Sequence, residues 1–187
     1  MLYFKNLLIF LLIFIHIIYI ISLGDVMKRD ILIFPKFKNL NLIQDIRKKY
    51  DRLANLVPPH ITLVFPFTDI ISTEELSKKI QETLKDFTKF NITFKGVTMS
   101  NDNYIFLNCL EGYDEIISLH DMLYKNVLPK HLNKKIKYTP HITLGQSDTL
   151  GYLRDFNFEF KCEVDELVIE GIGENEESII LDTIKLK

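Results

Sequence analysis

One pentapeptide is written twice in this sequence, as Pro59-His60-Ile61-Thr62-Leu63 and as Pro140-His141-Ile142-Thr143-Leu144. Each copy places a histidine and a threonine two residues apart and sets Ile and Leu at the alternate positions. In an extended strand, both polar side chains therefore point to one face and both apolar side chains to the other. Two such strands brought together would form a site of two histidines and two threonines.

Such a site suits acid and base catalysis on a phosphate. Imidazole is the side chain that most readily gives and takes a proton near neutral pH. Metal-free cleavage of a phosphodiester needs a base for the attacking group and an acid for the departing oxygen, in line on opposite sides of phosphorus. We predict that His60 and His141 form this pair. The hydroxyls of Thr62 and Thr143 are predicted to donate hydrogen bonds to the non-bridging oxygens.

The repetition favours a functional site over a structural one. A single His-x-Thr in a strand is more often a surface or core pair. Structural requirements alone do not explain why the same polar face occurs twice. Neither motif has a carboxylate or cysteine at metal-ligand spacing, so no metal and no cofactor is predicted. His120 and His131 lack the repeated context and are assigned to a helix and a basic loop. Cys109 and Cys162 are expected to be small core residues.

Hydrophobic periodicity predicts the elements that carry the two motifs. A buried strand at residues 31–34 and an amphipathic helix at 42–53 precede the first motif. Ser72 or Thr73 is expected to cap the next helix, with Glu75 near the capping-box position. The remaining expected elements are strands at 90–97 and 104–110, a helix at 116–127, a short helix at 150–155, and closing strands at 156–160, 167–169 and 179–181.

The two motifs divide the chain into similar halves. His60 and His141 are 81 residues apart, and each motif follows a helix and a proline-bearing loop. This arrangement indicates an internal duplication. We therefore predict an α+β fold with two pseudo-twofold-related lobes, in which antiparallel sheets and flanking helices surround a central cleft. Residues 27–187 are expected to form this single two-lobed domain, as a monomer.

Residues 1–26 form a separate hydrophobic segment, with an apolar run at residues 7–22. Three interpretations remain open: a signal peptide, an uncleaved membrane anchor, and a mis-assigned start, with translation beginning at Met27. The anchor and the mis-assigned start together rank ahead of secretion. The predicted location is the cytoplasm. An anchor would instead give membrane contact through residues 1–23.

Charge limits the class of partner. The formal net charge is −2, so no broad positive field for duplex nucleic acid is expected. Lysines cluster between residues 125 and 137, whereas acidic residues crowd the chain beyond residue 163. A basic loop beside a phosphate site would guide RNA, but a solvated loop is the preferred interpretation.

The motifs and their flanks resemble a known superfamily. The paired His-Ile-Thr-Leu motifs are similar to those of the 2H phosphoesterases, and Ile33-Phe34-Pro35 with residues 47–51, 58–67 and 138–145 resemble its bacterial 2'-5' RNA ligase-like members. The resemblance implies a two-lobed fold with a water-filled cleft, no metal, and hydrolysis of 2',3'-cyclic phosphates or related 2'-linked phosphodiesters. It assigns acid and base catalysis to His60 and His141.

The substrate implied by the resemblance is an RNA end or a small cyclic nucleotide, bound in part by Thr62 and Thr143. Tyr138 stands three residues before His141 and is predicted to stack on the substrate or to bond it, with a structural role equally open. Phe65 and Phe67 are expected to pack in the core. The alternative function is a non-catalytic module of the same fold that binds a nucleotide or an RNA end.

Overall fold

The computed structural model describes residues 27–187, so the signal, anchor and start-site interpretations lie outside the described residues. Within that range, no helix has the length and apolar character needed to cross a membrane. The helices and strands, in chain order, are β1 (Arg29–Ile33), α1 (Leu40–Tyr50), β2 (Ile61–Phe67), α2 (Thr73–Leu84), β3 (Phe90–Met99), β4 (Tyr104–Glu111), α3 (Tyr113–Asn126), β5 (His141–Gln146), β6 (Glu159–Val164), β7 (Glu166–Ile172) and β8 (Ser178–Lys185). Two short 3-10 helices lie at Pro129–His131 and Gly151–Asp155.

The strands form two antiparallel sheets of matching layout. The first-lobe sheet has the order β2-β1-β7-β8, and the second-lobe sheet has the order β5-β4-β3-β6. In each lobe a strand, a helix and an antiparallel strand follow one another, as β1-α1-β2 and β4-α3-β5. Each motif strand is therefore an edge strand of its sheet. The predicted α+β architecture with two related lobes is confirmed.

Reciprocal contacts between the lobes bring the motif strands together. Helix α1 packs against β5 of the second-lobe sheet, helix α3 packs against β2 of the first-lobe sheet, and β2 contacts β5. The apolar motif residues, Ile61, Leu63, Ile142 and Leu144, are fully buried in a core that runs through both lobes. This burial supplies the hydrophobic free energy that fixes the outward direction of the alternate, polar positions.

Gly145 allows the closest of these approaches. Its φ is +133°, and a Cβ atom at this position would lie 2.2 Å from the carbonyl carbon and oxygen of Tyr50. Any larger residue would collide with the backbone at the end of α1. The glycine that follows the second motif therefore lets β5 rest directly on the helix that precedes the first motif.

Two local expectations have different outcomes. The hydroxyl of Ser72 accepts a hydrogen bond from the backbone N–H of Glu75 at 3.1 Å, so the predicted cap of α2 is confirmed. The strand expected at residues 156–160 begins at Glu159 instead. Its partner β3 bends at Gly96, where φ is +75°, and pairing with β6 starts at Lys95. The alternating phenylalanines before residue 159 therefore have no strand to pair with.

Candidate active site

The structure brings the four motif side chains to the two edge strands that face each other. His60, Thr62, His141 and Thr143 are all half-buried, whereas the intervening Ile and Leu residues are buried. Pairing within the sheets sets the positions of Thr62, His141 and Thr143, and His60 directly precedes β2. The predicted division into a polar and an apolar face is present in both strands.

Both histidines are oriented by the same backbone contact. Nδ1 of His60 lies 2.9 Å from the carbonyl oxygen of Pro58, and Nδ1 of His141 lies 2.7 Å from that of Thr139. A carbonyl oxygen can only accept, so Nδ1 carries a proton and Nε2 is the nitrogen available to a substrate. The proline before each histidine restricts the preceding residue to extended backbone, which sets the direction of this carbonyl.

Burial lowers the pKa of both imidazoles and so favours their neutral form. Burial in the cleft lowers the pKa of His60, with smaller lowering effects from Arg47 and from the charge of His141. The pKa of His141 is also lowered by burial, although the Thr139 carbonyl opposes the shift. The influence of one histidine on the other means that the two rings share one electrostatic environment.

A buried ion pair supports the loop that carries the first histidine. The Arg47 guanidinium is 1% exposed, contacts the Asp51 carboxylate at 2.8 Å, and donates to the Val57 carbonyl at 2.7 Å. Asp51 in turn accepts the backbone N–H of Leu53 at 2.9 Å. The pair therefore ties the end of α1 to the segment that ends at Pro58. Sequence reasoning missed Arg47, although its four-residue spacing from Asp51 is typical of a helical ion pair.

A pocket of about 550 Å³ opens beside the second histidine. We call it the aromatic pocket; its lining includes Phe65, Tyr104, Phe106, Tyr138, His141 and Thr143. The Tyr104 and Phe106 rings stack with centroids 6.2 Å apart and planes within 4°, and the His141 ring lies 4.0 Å from Phe106. The aromatic pocket therefore joins a flat apolar surface to the polar face of β5. Phe67 is buried as expected, but Phe65 lines the aromatic pocket instead of packing wholly in the core.

Tyr138 connects the two lobes at the wall of the aromatic pocket. Its hydroxyl donates to the backbone carbonyl of Thr62 at 2.8 Å, and its ring stacks on His120 with a centroid separation of 3.7 Å. His120 itself bonds the Leu63 carbonyl from helix α3. These contacts give Tyr138 a structural role, and its contact with substrate stays a prediction. His131 lies apart from the motif residues, in a contact of 2.8 Å with Asp69.

Comparison with known proteins gives the family. Residues 35–174 match the model of the 2'-5' RNA ligase superfamily. A relative from Bacillus licheniformis, provisionally named a phosphoesterase, is 34% identical over 143 residues, which cover 68% of this chain and 80% of the relative. A similarly named protein of Geobacillus sp. (strain WCH70) is 30% identical over 155 residues, or 74% of this chain and 84% of the relative.

Solved structures share the fold at lower sequence identity. Escherichia coli LigT complexed with 3'-AMP has a TM-score of 0.59 and 16% identity, covering 87% of this chain and 99% of LigT. TT0787 of Thermus thermophilus has a TM-score of 0.61 and 14% identity, covering 86% of this chain and 98% of its own. The matched family model spans both motif strands and the helices that position them. The chain belongs to the 2'-5' RNA ligase superfamily, a group of the 2H phosphoesterases that its paired motifs resemble.

Proposed function

We propose that this protein is a metal-independent phosphodiesterase that hydrolyses 2',3'-cyclic phosphate ends of RNA or related small 2'-linked and cyclic nucleotides. The observation that carries the proposal is the pair of histidines on facing edge strands, each held through Nδ1 by the carbonyl two residues before it. That contact leaves two equivalent Nε2 atoms for one substrate, as an acid and a base on opposite sides of phosphorus require.

The threonines complete the phosphate site in this proposal. Thr62 and Thr143 stand two residues beyond the histidines on the same faces, and their hydroxyls can donate to the non-bridging oxygens as charge develops there. A nucleotide ligand is supported by two features. The aromatic pocket is suited to a base, and LigT has been crystallised with ATP, 3'-AMP, NADP+ and phosphate.

The position of the aromatic pocket indicates which histidine is the base and which is the acid. A nucleoside bound there places its ribose beside His141, so the oxygen that leaves phosphorus departs on the His141 side. His60 Nε2 takes the proton of the attacking water, the new P–O bond forms, and the bond to the ribose oxygen breaks. His141 Nε2 gives its proton to that oxygen, which becomes the ribose hydroxyl.

The lowered pKa values fit this sequence of proton transfers. Because burial lowers the pKa of both imidazoles, both are mainly neutral in the free protein at pH 7. His60 is then ready to act as the base. The negative charge of a bound phosphate favours the imidazolium form, so His141 takes up its proton as the substrate binds.

A binding module without turnover is the second candidate. It is favoured by the same lowering of the two pKa values, because the free protein then holds no ready acid at neutral pH. Tight binding of an uncleaved cyclic nucleotide, with no product after long incubation across several linkages, would support this alternative.

The test is hydrolysis of a nucleoside 2',3'-cyclic phosphate by the full chain in excess EDTA. We expect turnover, and a loss of about 10²- to 10⁴-fold in kcat for His60→Ala and for His141→Ala, the range typical of acid and base residues. His131→Ala is the matched control for this mononucleotide substrate, because the His131 ring contacts Asp69 and not the motif residues. Wild-type rates in both motif variants would overturn the mechanism, and activity that EDTA abolishes would overturn metal independence.

A further inference from the structure

The loop that leads into the second motif is strongly basic. We call residues 130–137 the basic loop; its lysines are Lys130, Lys134, Lys135 and Lys137. No Asp or Glu occurs between residues 122 and 147, so no acid near in sequence offsets these charges. All four lysines are exposed, and so are the apolar Leu132 and Ile136, the latter by 49%.

These lysines differ from many others on the described surface. Lysines on most other elements reach a carboxylate within 4.0 Å, including Lys36, Lys79, Lys95 and Lys161. Within residues 27–187, none of the four lysines of the basic loop does so, although Lys130 and His131 at the start of the loop lie near Asp69. Lys134, Lys135 and Lys137 therefore repel one another without internal compensation, a cost that a bound polyanion would remove.

The basic loop ends at the rim of the proposed site. Ile136 and Lys137 line the aromatic pocket, opposite Met99 and Tyr104 of the β3–β4 hairpin. In a 2',3'-cyclic end, the 2' and 3' oxygens of the last ribose are occupied, so the rest of the strand leaves through its 5' oxygen. An RNA strand whose last nucleoside occupies the aromatic pocket would thus pass Lys137 and continue along Lys134 and Lys135.

We propose that the basic loop binds the backbone of an RNA strand on the 5' side of its cyclic end, so that the preferred substrate is an oligoribonucleotide and not a free nucleotide. This inference rests on the proposed function for the identity of the reacting end. Because the net charge of −2 gives the protein no broad positive field, we expect the RNA backbone to be bound only along the basic loop. This loop can contact two or three phosphates. The exposed Ile136 side chain gives a base next to the terminal one an apolar surface.

The test compares a mononucleotide with a hexaribonucleotide, both ending in a 2',3'-cyclic phosphate, as the ratio of their kcat/KM values in EDTA. We expect Lys134→Ala/Lys135→Ala to lower the hexamer-to-mononucleotide ratio about tenfold at low salt. The charge-preserving Lys134→Arg/Lys135→Arg should keep the ratio. Lys78→Ala/Lys85→Ala is the matched control, since both lysines are exposed on or beside α2, which packs on β8, the sheet edge opposite β2.

Binding provides a readout that does not depend on turnover. A labelled hexamer ending in a 3'-phosphate should bind the wild-type protein with a slope of log affinity against log salt of about −1.4 to −2, from about −0.7 per phosphate. The slope should become shallower in Lys134→Ala/Lys135→Ala. If neither cyclic substrate is hydrolysed, the proposed function fails and this slope still decides the inference. An unchanged ratio and slope in Lys134→Ala/Lys135→Ala would overturn the inference alone.

Discussion

The two lobes present the same motif in different surroundings. In both, a histidine Nδ1 is held by the carbonyl two residues upstream. His60 meets the edge of Phe34 at 6.3 Å, and the loop before it is tied down by the buried Arg47–Asp51 pair. His141 lies against Phe106 at 4.0 Å and borders the aromatic pocket.

The two lobes therefore share one contact, and each adds features of its own. The shared backbone contact orients both imidazoles, which is the requirement for proton transfer. The first lobe adds internal support through a buried ion pair, and the second lobe adds an apolar surface and a basic loop. In the proposed function, these different surroundings serve the two different ends of a phosphodiester.

The largest expected effect is on the stability of the first lobe, where the Arg47–Asp51 pair supports the loop before His60. Arg47→Ala leaves Oδ2 of Asp51 and the Val57 carbonyl without the guanidinium donor, and should reduce the free energy of unfolding by about 3 to 5 kcal/mol. Denaturant unfolding measures the change. Lys137→Ala, in the exposed loop of the second lobe, should leave the free energy of unfolding within about 0.5 kcal/mol of wild type.

A double variant at the same ion pair separates the cost of an unpaired charge from the cost of lost packing. Arg47→Met/Asp51→Leu removes both charges, so it should recover part of the stability lost in Arg47→Ala. The part not recovered reports the Val57 carbonyl and the Leu53 N–H, both of which lose their side-chain partner. Arg47→Ala with wild-type stability would mean that the ion pair does not hold the loop before His60.

The second-largest expected effect is on substrate binding in the aromatic pocket of the second lobe. Tyr104→Ala removes an exposed ring that stacks on Phe106, and should raise KM for a nucleoside cyclic phosphate about 5- to 150-fold, equivalent to about 1 to 3 kcal/mol of base stacking. Steady-state kinetics measures the change. Tyr104→Phe keeps the ring and should keep KM near that of wild type. Equal KM values for Tyr104→Ala and wild type would contradict binding of the base in the aromatic pocket.

The smallest effect concerns two carboxyls buried in the first-lobe sheet. Asp30 of β1 pairs with Glu170 of β7, and Oδ1 of Asp30 has no hydrogen-bond partner among the described residues. Burial, with a contribution from Glu170, raises the pKa of Asp30 to about 8. The folded protein therefore holds this proton more tightly than the unfolded chain, and the associated stability is lost as pH rises from about 4, the ordinary pKa of Asp, through about 8.

Asp30→Asn should make stability less dependent on pH. The Tm of the variant relative to wild type should be higher at pH 9 than at pH 6, because only the wild type must ionise a buried carboxyl. Thermal unfolding at the two pH values measures the difference, with Glu163→Gln on β6 as an exposed control. An identical Tm difference at both pH values would contradict the burial-raised pKa.

Local patterns predicted most of the fold and the candidate site residues. Alternation of His and Thr with Ile and Leu predicted the polar face of each motif strand, and the Ser72 cap followed from capping chemistry. Both depend on residues close in sequence. The half-chain spacing of the motifs was enough to predict two related lobes.

Features made by distant residues were not predicted. Arg47 stands among lysines and looks like a surface residue, and its burial depends on how the loop through Val57 folds back over α1. The bond from Tyr138 to the Thr62 carbonyl joins strands and loops of different lobes. The aromatic pocket likewise combines side chains from β2, β4 and β5, whose alignment depends on the strand register.

The division of roles between the lobes is tested most directly by changing the leaving atom. In a cyclic phosphorothiolate, sulfur replaces the bridging oxygen that departs, and a thiolate needs no protonation because its pKa is about 8.5. We predict that His141→Ala hydrolyses this substrate within about tenfold of the wild-type rate, while His60→Ala remains at least about 10²-fold slower. Equal losses in both variants, or recovery in His60→Ala instead, would contradict the assignment of base to the first lobe and acid to the second.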